Sequence, residues 1–350
     1  MNKFMFRFFV ALFVISFSFC SMHIIASAQV DATKEQKKEE KYEDQKREIT
    51  QARPLVKKTE SMGNLKINTT VGLFQGYDNN VNLDSSRKGD SFNEIIALVD
   101  ARYPLNDWLK LKFGYNTYNV LYYDFTNYTV LDNAVRAGLE SKIADNVTLD
   151  TGYEFEYIYY PKDDQGTYYA NKLGSSLRHK ISKNLYHKLG YEFQMRDWTD
   201  RKARNGAGVI EDTERQDYRN SIKYEIGYLV WKTLLKLKTD VYFNDSNDEY
   251  LDYYDYTSYS VSVFAARPLV DKLTGILRAG YQWKRYDERT ITTGDSKEKD
   301  KTMILGAGLT YDITRDLALS ANYTYRQNYS NDPIQRYSES MTTLGCYYTF

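Results

Sequence analysis

From Asn64 to Phe350 the chain alternates apolar and polar residues in runs of about a dozen, and this rhythm limits the fold more than any other feature. In Leu109-Lys110-Leu111-Lys112-Phe113-Gly114-Tyr115-Asn116 the Leu, Phe and Tyr side chains fall on one face and Lys, Gly and Asn on the other. The run from Val147 to Tyr159 does the same, setting Leu149, Tyr153, Phe155 and Tyr157 against Asp150, Gly152, Glu154 and Glu156. A period of two belongs to β-strands with two different environments. A dozen residues is about twice a common soluble strand and about what a tilted strand needs to cross a bilayer. The mean hydropathy of −0.63 rules out a helical membrane bundle, which needs repeated apolar spans of about 20 residues. It does not rule out a membrane β-barrel, because alternating strands average out as polar.

The connections between runs alternate in length. Tight turns fall at 104–107, 144–146, 182–184, 230–232, 269–272 and 314–316. Longer loops rich in Asp, Asn, Gly and Lys fall near 79–90, 124–127, 161–167, 199–213, 245–251, 287–299 and 329–335. Six turns and seven loops predict an all-β fold: a transmembrane, antiparallel, up-and-down β-barrel of about fourteen strands, with short periplasmic turns and longer external loops. A soluble sandwich would bury one face in a dry core. Here the polar face carries glycines and charges suited to water, and the apolar face is rich in tyrosine. The chain has 34 Tyr, a residue suited to the boundary between lipid and water.

The first 28 residues read as a cleaved export signal: Lys3 and Arg7, an apolar run from Phe8 to Phe19, then Ala26-Ser27-Ala28. Lipidation at Cys20 is disfavoured by the bulky Phe19 before it. Residues 29–63 are dominated by Lys and Glu with few apolar side chains, so they are expected to form a charged, flexible periplasmic arm, the alternative being a plug lodged in the lumen. Residues 64–350 are the barrel. Its last strand sets Leu344, Cys346, Tyr348 and Phe350 on one face, an aromatic terminus that resembles the signal read by the barrel assembly machinery.

Gly76-Tyr77-Asp78-Asn79-Asn80-Val81-Asn82 resembles the motif at the end of the first strand in the putative β-barrel porin 2 family. The same region is similar to barrels found beside exopolysaccharide export systems and in surface lipoprotein assembly modifiers. The resemblance implies an outer-membrane barrel. The assembly modifiers carry helical repeats before their barrel, for which residues 29–63 are too short and too charged.

Lys+Arg and Asp+Glu both number 47, which offers no footprint for nucleic acid. After the signal only Cys346 remains, so no intramolecular disulfide or cysteine-rich metal site can form. His179 and His187 share the apolar parity of their strands and should anchor the inner membrane interface facing outward. With no nucleophile and base in evident register, no enzyme, cofactor or metal is expected; Asp78, Asp84 and Asp90 match no calcium-loop spacing.

The inward parity yields the candidate pore lining: Lys110, Lys112, Arg136, Arg178, Lys180, Lys188, Lys236, Lys238, Arg278, Glu154 and Glu156. With Arg102, Lys172, Arg196, Arg219, Lys223, Lys284 and Arg326 the inward bases number sixteen against nine acids, a surplus of +7. That surplus predicts anion preference, unless the charges pair across strands and cancel. Tyr122, Tyr160 and Tyr168 are candidate stacking surfaces at the outer rim. The expected function is a monomeric, outer-membrane, porin-like channel for hydrophilic solutes, anionic or saccharide. The alternatives are an exopolysaccharide export barrel with a periplasmic partner docked on residues 29–63, and a closed barrel that works through its surface loops. Lipid and the assembly machinery are the other expected partners.

Overall fold

The computed structural model describes residues 37–43, 45–46, 60–62, 64–163, 166–292 and 294–350. The proposed signal at 1–28 lies outside them. A short strand, β1 (Glu60–Met62), precedes the barrel and pairs with the first turn-side residues of β2 (Leu65–Asp78). The strands that follow are β3 (Asp90–Pro104), β4 (Leu109–Tyr122), β5 (Val130–Ala144), β6 (Val147–Tyr159), β7 (Tyr168–Lys180) and β8 (Leu185–Arg204). They continue with β9 (Ile210–Val230), β10 (Thr233–Ser246), β11 (Tyr256–Val270), β12 (Leu273–Thr290), β13 (Lys297–Asp312), β14 (Leu317–Asn328) and β15 (Tyr337–Thr349). Each pairs antiparallel with its neighbours in sequence, and β15 returns to pair with β2, which also pairs with β3. The result is a closed fourteen-strand up-and-down barrel, with no open edge except where β1 lies.

Alternation decides which way each side chain points. Leu73, Phe113, Val135, Leu173, Leu189, Leu237, Leu277, Leu305 and Leu344 are exposed on the outer face. A continuous apolar belt of this extent is not tolerated by water and is satisfied by lipid. Aromatic residues border it: Tyr103, Trp108, Tyr228, Trp231, Tyr311 and Tyr348 toward the short turns, and Tyr77, Tyr123, Tyr169 and Tyr329 toward the loops. No helix among the described residues is long and apolar enough to cross a membrane.

Two of the expected loops are shorter than their composition suggested. β8 and β9 continue as a ladder through Lys202↔Glu214 to Arg204↔Ile210, leaving 205–209 as the loop, and β12 and β13 pair again at Thr290↔Lys297. These ends are charged because they stand in water above the membrane, where strand pairing needs no apolar face.

Residues 37–43 and 45–46 form a helix, α1, whose side chains meet the inner face of the barrel. Charged side chains of α1 pair with charged side chains of the barrel wall. Charge pairing supplies the partner that the segment lacks on its own.

Candidate functional site: a lumen in two halves

The periplasmic half is open because small residues recur at one level. Gly138, Gly152 and Gly174 stand side by side across β5, β6 and β7, with Gly190 on the next strand opposite Ser176. Gly152, Gly174 and Gly190 border a cavity of about 600 Å³ whose charged lining includes Lys112, Arg136, Asp150, Glu154, Lys172, Lys188, Glu192, Lys223, Glu225 and Lys238. Most of these charges pair across strands: Lys110 with Glu140 at 2.7 Å, Lys112 with Asp150, and Arg136 with Glu154 at 2.7 Å. Lys172 bridges Glu154 at 3.1 Å and Glu156 at 2.6 Å, Lys223 meets Glu192 at 2.7 Å, and Lys238 meets Glu225 at 3.4 Å. The Arg178 guanidinium lies 3.8 Å over the Tyr186 ring, and the Tyr186 hydroxyl donates to Glu225 at 2.6 Å. Lys236 sits 5.9 Å from the Phe264 ring, and Arg278 lies across Gly306. Arg102, Lys180 and Lys188 are exposed near the short turns and make no ion pair among the described residues.

The outer half is filled. Phe74, Phe92, Ile96, Tyr118, Val120, Ile158, Tyr168, Trp198 and Tyr347 build an apolar cluster inside the barrel, and Tyr42 of α1 belongs to it. The helix is matched to its surroundings face by face. Its basic side chains meet acids: Lys38 with Asp163, Lys41 with Asp78 and Glu339, and Lys46 with Asp132 and Glu156. Its acidic side chains meet bases: Glu39 with Arg196, Glu43 with Arg196 at 3.2 Å, and Glu40 with Lys284. Tyr42 donates to Asp132, and Gln45 donates to the Tyr122 hydroxyl at 3.2 Å. Burial alone would push the Lys46 ammonium down, but Asp132 and Glu156 beside it hold it well above its ordinary value. At its amino end Lys37 donates to the Ile334 carbonyl and Lys38 to the Asn127 carbonyl, both in external loops.

The first-strand motif serves this arrangement. Asp78 accepts from the Asn80 backbone N–H at 2.8 Å and from Tyr122 at 3.1 Å, Asn80 donates to the Asp84 and Ser338 carbonyls, and Val81 is buried in the cluster. Asp90 accepts from the Asp124 and Phe125 amides. Both carboxylates fix loops and Asp78 also receives Lys41; among the described residues no group of three metal-binding side chains gathers.

Several sequence expectations need amendment. Tyr122, Tyr160 and Tyr168 point inward in the outer half but are buried under α1 and the loops, so they offer no free stacking face while the helix is seated. The surplus of +7 was counted without the buried acids Asp78, Asp132, Asp217, Glu298, Asp300 and Glu339 and without the buried bases Arg201, Arg215 and Arg289; with both sets the wall has 19 bases against 15 acids, a surplus of +4, and Asp217 and Glu298 pair with Arg215 and Arg289. Composition hid them because loop-side acids resemble hydrated ones. His179 and His187 are opposite each other on neighbouring strands with their rings edge-on, ring nitrogens 3.0 Å apart and the second 3.5 Å from the Tyr224 hydroxyl. Leu344 and Tyr348 are exposed on the outer face, and the Phe350 ring packs edge-on to Tyr348 at 4.9 Å while its amide donates to the Thr69 carbonyl.

The family described as Putative beta-barrel porin 2 matches residues 233–350, the segment that begins with β10 and ends with β15. Among solved structures, outer-membrane-expressed OmpT of Vibrio cholerae is similar at 14% identity and a TM-score of 0.50, covering 84% of this chain and 100% of that one. An anion-selective porin from Comamonas acidovorans is similar at 11% identity and a TM-score of 0.50, with the same coverage. At such identities the likeness is one of fold. No curated protein matches the chain.

Proposed function

We propose that this porin-like outer-membrane barrel is a passive, non-enzymatic channel for hydrophilic solutes, with a preference for anions and acidic saccharides, and that α1 closes its outer half. It would be a monomer delivered by cleavage of a signal at residues 1–28. The observation that supports the reading best is the charged cavity of about 600 Å³ in the periplasmic half. A barrel closed for structural purposes has no use for a row of glycines that holds such a space open. Arg102, Lys180 and Lys188, exposed at the mouth, add a positive rim to a paired and otherwise balanced wall. Rings of one charge raise the local concentration of the opposite ion within a Debye length of about 8–10 Å.

The test is the reversal potential across a potassium chloride gradient in planar bilayers, for the whole chain and for one lacking residues 37–46. A potential favouring chloride is expected, and replacing Lys180 and Lys188 with Glu should move it toward potassium. Cation preference in the unaltered protein, or no conductance from either chain, contradicts the reading.

A further inference from the structure

The contacts of α1 with the β8–β12 side of the lumen have the form of a filled binding site. Arg196 and Lys284 are 1% and 3% exposed, too deep to be spared the cost of desolvation unless anions reach them. The anions come from α1: Glu39 and Glu43 on Arg196, Glu39 at 3.7 Å from Arg219, and Glu40 on Lys284. Each cation also lies against a ring. Arg196 is 5.2 Å from the Tyr168 centroid, Arg219 is 4.5 Å from Tyr242, and Lys284 is 4.4 Å from Tyr256. Arg219 is further held by the Tyr256 hydroxyl at 2.9 Å and the Asn244 side-chain oxygen at 3.3 Å. Arg219 thus has a scaffold of its own in the wall, while Arg196 and Lys284 keep the tyrosine rings beside them and draw their ion pairs from α1. The buried Arg196 Nε finds no hydrogen-bond partner, so the helix satisfies the site incompletely.

We propose that Arg196, Arg219 and Lys284, with their tyrosines, form a binding site for the carboxylates of an acidic oligosaccharide, and that Glu39, Glu40 and Glu43 of α1 occupy it as a tethered competitor. Forked guanidinium groups suit carboxylates, and flat rings beside them suit the C–H faces of sugar rings. Glu39 and Glu43 are four residues apart, about 6 Å along the axis, which is on the order of one sugar unit in an extended chain. A helix about 10 Å across leaves, when it withdraws, a path for a single strand. The tether places the competing carboxylates at an effective concentration in the millimolar range, so a free ligand must displace them. Binding of solute and seating of α1 are then mutually exclusive, and arrival of the ligand releases the plug.

This inference deepens the channel reading and is tested apart from conduction. Calorimetry on the folded, detergent-solubilised chain would use tetragalacturonate as the probe and maltotetraose as its neutral control. With Glu39, Glu40 and Glu43 all changed to Gln, tetragalacturonate should bind about 10-fold more tightly or better than to the unaltered chain, while maltotetraose gains nothing. Adding Arg196→Gln or, separately, Arg219→Gln to that background should abolish the gain. Among the described residues of α1 no acid then remains to be stranded by either change, and heat-modifiable gel migration verifies each barrel. An absent gain, an equal gain for maltotetraose, or a gain indifferent to both arginines overturns the proposal. A barrel that binds the uronate but never conducts would overturn the channel reading alone; one that conducts without binding it overturns only this site.

Discussion

The two halves of the lumen are built from the same strands and differ in what stands on their inner face. Below, Gly138, Gly152 and Gly174 face one another and the charges beside them are half exposed; above, aromatic rings and a helix leave little space. The periplasmic half behaves as a hydrated surface folded inward, where an ion pair contributes little. The outer half behaves as a protein core, where every charge needs its partner. A strand thus changes environment midway along its length without changing its alternation, as β6 does from Gly152 to the fully buried Glu156 and Ile158.

The sharpest probe of this contrast is the loss of one lysine from each half. Lys46→Met leaves Asp132 and Glu156 without the α1 cation they share, and breaking a buried pair costs about 3–5 kcal/mol. We expect α1 to be released, seen as protease access to residues 37–46 and a higher open fraction in bilayers. Lys112→Met breaks the half-exposed pair with Asp150 and should cost about 0–1 kcal/mol, with no change in thermal unfolding beyond that. Comparable losses from both changes would erase the distinction.

Glycine replacement gives a smaller difference. A Cβ on Gly76 would lie 2.3 Å from the Phe92 ring, which is itself buried, so Gly76→Ala should cost about 1–3 kcal/mol in urea unfolding. At Gly174 the nearest atom is 3.7 Å away, and Gly174→Ala should change stability by less than about 0.5 kcal/mol. The reverse order would mean that the cavity is not open space.

The smallest effect is expected above the membrane. Burial raises the Asp255 carboxyl to about 7, with Asp245, Asp252 and Asp287 adding to the rise against the Ser246 amide that lowers it. A carboxyl whose pKa is higher folded than unfolded binds its proton more tightly in the fold. Stability of the loop from 247 to 255 is therefore greatest at low pH and declines as pH rises from about 4 through about 7. Amide exchange in this loop should be slower at pH 5.5 than at pH 8 after correction for intrinsic rates; equal protection would contradict it.

Much of the barrel was legible because lipid enforces alternation at every position of a membrane strand. Short turns and the outward parity of Leu344, Tyr348 and Phe350 followed from that. What stayed hidden was long-range. Nothing in Lys37 to Lys46 shows an apolar stripe, since charge complementarity with Asp78, Asp132, Arg196 and Lys284 takes its place. Parity set Arg196, Arg219 and Lys284 inside, but their partners lie far away in sequence. Tyr122, Tyr160 and Tyr168 were expected as stacking surfaces at an open rim, but the helix and loops above them bury all three. The loops at 199–213 and 287–299 misled because a polar, charged composition was read as loop where paired strands leave the membrane.

The central claim is that α1 closes the outer half while the periplasmic half stays open. Single-channel conductance in symmetrical salt, compared between the whole chain and one lacking residues 37–46, tests it most directly. The account predicts a low or intermittent conductance for the whole chain and a several-fold larger, steady one after the deletion, from barrels that migrate alike on heat-modifiable gels. Equal conductance from the two would contradict it.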